Sequence, residues 1–425
     1  MAYVNELIDF IKSSPTAFHT VETVKKSLVE AGYTQVCECD PKSFSDGGKH
    51  FVIRGDSSII AFKGKGNGFM ITASHSDSPC FKVKGELTSA SYTRLATEKY
   101  GGMIHYTWLD RPLSVAGRIV VKTNSGVKTQ LVDLDKPSLV IPSVAIHLNR
   151  GVNDGYKFNP ASDLLPLMGT SSSTGALMNV IAGQAGVKAD DILAHDLYLY
   201  NKEDGKILGI NDELILAPRI DDLGCVYASM RAFLDAPASS NSVSVLAVFD
   251  NEEVGSETKQ GAASTFLDMT LEAIAGSHDN YSKMLLNSFM VSADNAHALH
   301  PNHPELSDST NAPVLGGGVV VKYNANQRYT TDAVSDGIFV TLASRCGAKL
   351  QKFSNRADMV GGSTLGSISN TRVSISTIDI GLPQLAMHSA TETAAVCDLE
   401  DMVKVLSELY ASSICKKCSD IEITK

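Results

Sequence analysis

Apolar residues recur at helical spacing over residues 3–31. Val4, Leu7, Ile8 and Ile11 fall on one face, and Val21, Val24, Leu28 and Val29 on another. Ser14-Pro15 interrupts the run and Gly32 ends it, so the spacing predicts two helices. Strand patterns follow at 58–63 and 68–74, the second leading directly into His75. From about residue 86 to 205 the texture changes. Short β-like runs at 117–123, 130–134 and 139–141 are separated by polar turns, and a glycine, serine and threonine tract at 169–175 reads as flexible. This block has the pattern of a separate β-rich domain. Beyond about residue 210 the periods alternate: strands at 243–249, 288–293 and 373–380, helices at 223–234 and 391–412. Such alternation predicts a three-layer α/β architecture.

Charge and cysteine usage narrow the class. The 425 residues carry 37 basic and 47 acidic side chains, a formal net charge of −10. That balance argues against general nucleic-acid binding, which needs a basic surface to displace counterions. No run approaches the roughly 18 apolar residues of a membrane span. The N-terminal segment has no basic region followed by an apolar core, so no secretory signal is expected. Eight cysteines fall well below the density of a disulfide scaffold. The expectation is a cytoplasmic protein with no membrane and no nucleic-acid partner. Cys37/Cys39 and Cys415/Cys418 are close pairs without an accompanying histidine, and they read as reduced surface thiols rather than a zinc knuckle.

The candidate chemistry lies where strand-like runs end. Ser74-His75-Ser76-Asp77, Asp250-Asn251-Glu252-Glu253, Ser292-Ala293-Asp294-Asn295 and Met387-His388-Ser389 each follow an extended segment, and Arg219-Ile220-Asp221-Asp222 opens a helix. Ligands of open α/β sheets gather beyond the carboxyl ends of the strands, so clusters far apart in sequence can converge there. Histidines and carboxylates suit zinc, manganese or cobalt, and so many acids in one place call for a cation. In the adjacent pair Glu252-Glu253, one carboxylate can hold metal while its neighbour takes a proton from a metal-activated water. In His75-x-Asp77, strand alternation sets both side chains on one face, where Asp77 can accept the second imidazole N–H and orient the ring. Each cluster alone has an ordinary explanation: a solvated turn for Glu-Glu, a local hydrogen bond for His-x-Asp, a helix cap for Asp221. Their joint placement after strands is the specific signal. His300 and His303 read as loop residues. No phosphate loop, dinucleotide fingerprint or His-Glu-x-x-His is present. Residues 361–366 lack nucleophile-elbow spacing and read as a tight backbone loop lining a pocket.

Six stretches carry a family likeness: Ser14-Pro15-Thr16-Ala17-Phe18-His19, Ile146-His147-Leu148-Asn149-Arg150, Asp250-Asn251-Glu252-Glu253-Val254-Gly255-Ser256, the segment 292–302, Gln327-Arg328-Tyr329-Thr330 and Leu385-Ala386-Met387-His388-Ser389. With these the chain resembles the aspartyl aminopeptidase family of co-catalytic zinc metallopeptidases over nearly its whole length. The resemblance implies a three-layer α/β/α metallopeptidase domain with a mixed sheet, formed by 1–85 and 206–425. The β-rich domain 86–205 is inserted into it for dimerisation and as a lid. It implies two divalent ions per subunit, Zn2+ before Co2+ or Mn2+: His75 and Asp294 on one, Glu253 and His388 on the other, with Asp221 bridging and Asp222 its neighbour. Glu252 would be the general base and Asp77 the orienter of His75. His147 would reach into a neighbouring protomer's site and help hold substrate. Lys322 and Tyr329 would contact the acidic side chain of the peptide. The implied assembly is a tetrahedral homo-dodecamer. The residues Ala390-Thr391-Glu392 depart from relatives that carry charged residues directly after this histidine.

The expected function is release of N-terminal Asp or Glu from peptides by a water activated between two metals. Rival readings are an aminopeptidase of neutral or leucine preference, a dinuclear-metal amidase or deacylase, and a non-catalytic oligomeric scaffold. With a net charge of −10, long-range electrostatics oppose acidic peptides. Any acidic preference therefore needs a local cation, for which Lys322 is the candidate and Arg328 the alternative.

Overall fold

The computed structural model describes residues 2–44, 47–89, 91–170, 175–418 and 420–425. Within the flexible-looking tract at 169–175, residues 171–174 lie outside the described residues. The chain divides into two compact units. One comprises residues 1–77, 206–387 and 392–425, the other 78–205 and 388–391.

The first unit is built on a nine-stranded sheet. Its centre is the strand Phe69–His75, paired in parallel with Val243–Phe249 on one side and Phe289–Ala293 on the other. Ser376–Gly381 continues in parallel beyond Phe289–Ala293. The outer pairs mix directions: Ser58–Lys63 runs antiparallel to Val243–Phe249, and Val319–Tyr323 antiparallel to Ser376–Gly381. These strands bury both faces, so their sequences read as continuous apolar runs while adjacent residues enter opposite cores. Ile59, Ala61, Met70, Leu246 and Val248 face a core shared with the helices Ala2–Lys12, Ala17–Glu30, Ile220–Asp235, Ala333–Cys346 and Val396–Tyr410. Ile60, Phe62, Phe69, Ile71, Val245 and Ala247 face a second core with Phe266–Ala275 and His278–Leu286. Helices on both faces of a mixed sheet make this a three-layer α/β/α unit. The buried Lys63 Nζ donates to Phe233 O and Ala236 O, at 2.6 and 2.5 Å, and so satisfies carbonyls at the end of Ile220–Asp235.

A second, five-stranded sheet of this unit was not anticipated. It orders Lys206–Leu208, Leu214–Ala217, Glu392–Ala395, Pro383–Leu385 and Ala296–His297. The expected helix over 391–412 is shortened by it. Glu392–Ala395 pairs antiparallel with Leu214–Ala217, and the helix starts at Val396. Alanine and glutamate favour helix, but pairing with a neighbouring strand overrides local propensity. The strand expected at 373–380 begins at Ser376, and 139–141 forms only isolated bridges. Val29, which shares an apolar spacing with Val21, Val24 and Leu28, is 54% exposed, while Phe10 joins the core.

The second unit holds a six-stranded sheet, antiparallel throughout its described pairs. Its strand Cys80–Thr88 pairs with Thr93–Tyr100 and Ile192–Asn201 and so belongs to the compact unit that begins at Ser78. Phe81 and Trp108 meet edge to face at 5.1 Å in its core.

Gly381 shows how tightly the first unit is fitted. A Cβ at this position would collide with the backbone carbonyl oxygen of Asp294, whereas one at Gly362 would meet nothing. Gly381→Ala is expected to cost about 2 kcal/mol, in the range of overpacked cores. Gly362→Ala should stay within about 0.5 kcal/mol of wild type. Denaturant unfolding midpoints check both.

Candidate metal centre

The parallel strands deliver their chemistry to one edge. His75 ends the central strand, Asp250 follows Phe249, and Asp294 follows Ala293. His75, at the strand end, and Asp77, on the loop that leaves it, are both buried. Asp221 and Asp222 begin the helix Ile220–Asp235, and the peptide between them is cis. The five-stranded sheet frames the same place: Ala217 leads towards Asp221, Ala296 follows Asp294 by two residues, and the Glu392 carboxylate accepts the Asp221 N–H at 2.9 Å.

His75 is the hub. Its Nε2 lies 3.6 Å from Asp221 Oδ1, 3.8 Å from Asp294 Oδ1 and 4.0 Å from Asp222 Oδ2. One ligand atom from each of His75, Asp221, Asp222 and Asp294 falls within 4.8 Å of the others, and His75, Glu252 and Glu253 form a second such group. The His75 Nδ1 is 3.0 Å from the backbone carbonyl of Asp77 and 3.4 Å from its carboxylate, so Asp77 holds the ring chiefly through its main chain. Its side chain has another task. The two Asp77 oxygens accept the N–H groups of Glu252 and Glu253, each at 3.1 Å. That clasp fixes the turn on which both glutamates sit relative to His75.

The electrostatics follow from burial. Burial disfavours the charge on His75, but Asp222, Asp221, Asp294 and Asp77 together hold its pKa well above the usual imidazole value. Burial pushes Glu252 up to about 8, with Asp294, Asp77 and Asp221 adding to the rise. It also drives Asp222 well above the carboxylate range, and Asp250 to about 7. Without a cation, burial thus favours the protonated form of these carboxyls. Asp222 Oδ1 is buried with no hydrogen-bond partner. A buried set of one imidazole and several carboxylates is a fit for a divalent cation with N and O preference.

Lys322 lies beside this set. Its buried Nζ donates to Asn295 O at 2.9 Å, lies 3.4 Å from Asp294 Oδ2 and sits 5.3 Å from the centre of the Tyr329 ring. Burial opposes its charge, yet Asp294 holds the ammonium above its ordinary value. Lys322 is thus engaged with Asp294, which the sequence alone does not reveal. Asn295 is a further member. Its Nδ2 donates to Ile220 O and Gln384 Oε1, tying the Asp221 turn to the five-stranded sheet.

The first unit therefore brings together His75, Asp77, Asp221, Asp222, Glu252, Glu253, Asp294, Lys322 and Tyr329. His388 and His147 belong to the second unit. The His388 Nδ1 is 3.0 Å from Gly102 O, and the residue takes a left-handed φ of 66°. His147 is exposed in a turn where Leu148 N donates to Ala145 O. Reasoning from sequence missed Asn295, Glu392 and the second task of Asp77. A carboxylate that clasps two distant N–H groups has no local signature.

The chain is similar to known proteins in sequence and in fold. The family described as aminopeptidase I zinc metalloprotease (M18) matches residues 10–410. "Probable M18 family aminopeptidase 2" of Clostridium acetobutylicum is 42% identical over 428 residues, covering 96% of this chain and 99% of that protein. Among solved structures, one chain of an Ape4 and Nbr1 complex is 32% identical with a TM-score of 0.93, covering 96% of this chain and 85% of that one. The S. cerevisiae mApe1 dodecamer is 28% identical with a TM-score of 0.83, covering 96% of each chain. No helix among the described residues is long and apolar enough to cross a membrane. On sequence and on fold alike, the chain belongs to the M18 family of zinc metallopeptidases and is an aminopeptidase.

Proposed function

We propose that the protein releases acidic N-terminal residues from peptides, using two divalent ions and Glu252 as general base. The observation that carries this reading is the buried convergence of His75, Asp221, Asp222 and Asp294, with Glu252 and Glu253 held over it by Asp77. In it, His75 and Asp294 would hold one ion and Glu253 and His388 the other, with Asp221 available to both. Asp222 supports the bridge and donates no ligand. Zinc is the metal the family favours, and cobalt or manganese fit the same donors.

When bound, the ions polarise the peptide carbonyl and make water a nucleophile at neutral pH. The chain's own residues do the rest. Glu252 accepts the proton of the attacking water and returns it to the leaving amine. The Asp77 clasp keeps its carboxylate at a fixed distance from His75. The cluster's negative charge draws the free N-terminal ammonium, which favours exopeptidase over endopeptidase cleavage. Binding the ions displaces the protons that burial holds on Glu252, so metal affinity falls as the pH drops.

Acidic preference rests on Lys322, the buried cation beside Asp294, with Tyr329 beneath it. A net charge of −10 supplies no long-range attraction for an acidic peptide, so discrimination is local. We place His147 at a neighbouring protomer's site in a dodecamer like that of the yeast neighbour. The exposed side chains of Val144, Ile146 and Leu148 around it are what a second copy would cover. Residues 86–205 would carry that dimer and lid role. We place the protein in the reducing cytoplasm, in keeping with the lack of any disulfide among the described residues.

Three outcomes are expected. Glu252→Gln should retain two metals per subunit by elemental analysis and lose at least about 100-fold in kcat, as removal of a general base does. Activity within about tenfold of wild type would sink the assignment. Lys322→Met should lower the Glu-over-Leu ratio of kcat/KM by about tenfold or more, with metal content measured alongside. A wild type that prefers leucine would overturn the acidic reading. His147→Ala should assemble normally by light scattering yet lose turnover, and full turnover from the assembled variant would refute a role in catalysis.

A further inference from the structure

Beside the metal centre, within the first unit, lies a cavity of about 350 Å³ that no catalytic role has yet used. Its position is set by two strands of the five-stranded sheet. Ala296–His297 begins two residues after Asp294, and Pro383–Leu385 pairs with it in parallel, His297 opposite Gln384. The first strand leaves the Asp294 segment, and His297, Gln384 and Leu385 of the two strands line this space.

Phe353 forms the partition. Its ring meets Tyr329 at 6.3 Å and His297 at 6.1 Å, both edge to face. Lys322 lies against the Tyr329 ring, while Phe353 and His297 line the cavity. Phe353 therefore stands between the cavity and the Tyr329 ring against which Lys322 lies, and neither Lys322 nor Tyr329 lines the cavity.

Its lining is apolar in effect. Leu306, Pro313, Phe353, Met359, Leu385 and Met387 contribute side chains. Its one arginine is already paired, Arg356 gripping Asp358 through two bonds of 2.6 Å, while Asp308 Oδ1 accepts the N–H groups of Thr310 and Asn311 at 2.9 Å and keeps its negative charge. One donor stands out. Gln384 is buried at 1% exposure, and its Oε1 accepts from Asn295, which fixes the amide. Its Nε2 is buried with no hydrogen-bond partner. A buried donor left unmatched costs about 1–3 kcal/mol and is expected to find an acceptor in a ligand.

We propose that this cavity receives the second residue of the peptide, directly after the scissile bond. It selects an apolar side chain there while Gln384 Nε2 donates to a substrate backbone carbonyl. The inference rests on the aminopeptidase reading and extends it to the leaving fragment. Successive side chains of an extended peptide point to opposite sides. With the first carbonyl held at the metal centre and the first side chain at Lys322, the second side chain falls on the other side of the Tyr329–Phe353 partition. An apolar side chain meets Leu306 and Phe353 there, whereas an acidic one finds Arg356 already paired with Asp358 and the Asp308 carboxylate on the same lining.

The test is a tripeptide panel with the metal-loaded protein: Glu-Gly-Gly, Glu-Leu-Gly, Glu-Phe-Gly, Glu-Asp-Gly and the matching Leu-first set. Wild type should favour Leu or Phe at the second position over Gly by about tenfold in kcat/KM, the scale of a hydrophobic pocket. Leu306→Trp, at the half-exposed rim, should bring that ratio to about one, and Gln384→Met should raise KM across the panel more than it lowers kcat. Each ratio is internal to one protein, so partial loss of folded material does not alter it. Release of glutamate from Glu-Gly-Gly with indifference to the second residue overturns the cavity assignment alone. An unchanged ratio in Leu306→Trp does the same, as does a variant that shifts Glu-over-Leu discrimination at the first position instead. No release from any tripeptide removes the aminopeptidase reading and the inference with it.

Discussion

Everything at this site depends on gathering like charges in a buried place. Asp77, Asp221, Asp222 and Asp294 surround His75, and Glu252 and Glu253 stand beside them. Two like charges about 4 Å apart repel by about 4 kcal/mol at an effective dielectric of 20. A typical hydrogen bond returns about 1 kcal/mol. Hydrogen bonds alone therefore cannot hold such a cluster ionised. It either keeps protons, as burial makes Glu252 and Asp222 do, or takes up cations. A family of zinc metallopeptidases is the setting in which that arrangement makes physical sense.

Topology makes the gathering possible. Three adjacent parallel strands, Val243–Phe249, Phe69–His75 and Phe289–Ala293, end at one edge of the sheet. Residues distant in sequence thus arrive together without any strand having to bend. The five-stranded sheet then locks the segments that follow. Asn295 reaches Ile220 and Gln384, and Glu392 reaches Asp221. Gly381 allows the sheet to close over the Asp294 backbone, where any side chain would intrude. Stability and chemistry are coupled here because the same close packing serves both.

Lys322 illustrates how one charge can carry two consequences. Its ammonium offsets Asp294 and is held charged by it. In the function proposed above it also supplies the single local attraction for an acidic side chain. Both tasks depend on burial, which strengthens the interaction by excluding water.

Much was legible in the chain alone. The central strands announced themselves as apolar runs because they are buried on both faces, and Val243–Phe249 was bounded to the residue. The acids and histidines placed after those runs pointed to a metal site. Other features were closed to such reasoning. Glu392–Ala395 looks helical until its partner Leu214–Ala217 is known. Val29 has the right spacing for a core that turns away from it. The Asp77 clasp on Glu252 and Glu253, the Lys322–Asp294 pair and the unmatched Gln384 amide join groups far apart in the chain. By itself, the sequence determined which residues could form strands and which could bind metal, because periodicity and side-chain chemistry are local. Only the tertiary structure decided which donors meet which acceptors, because burial and long-range contact set the cost of every charge.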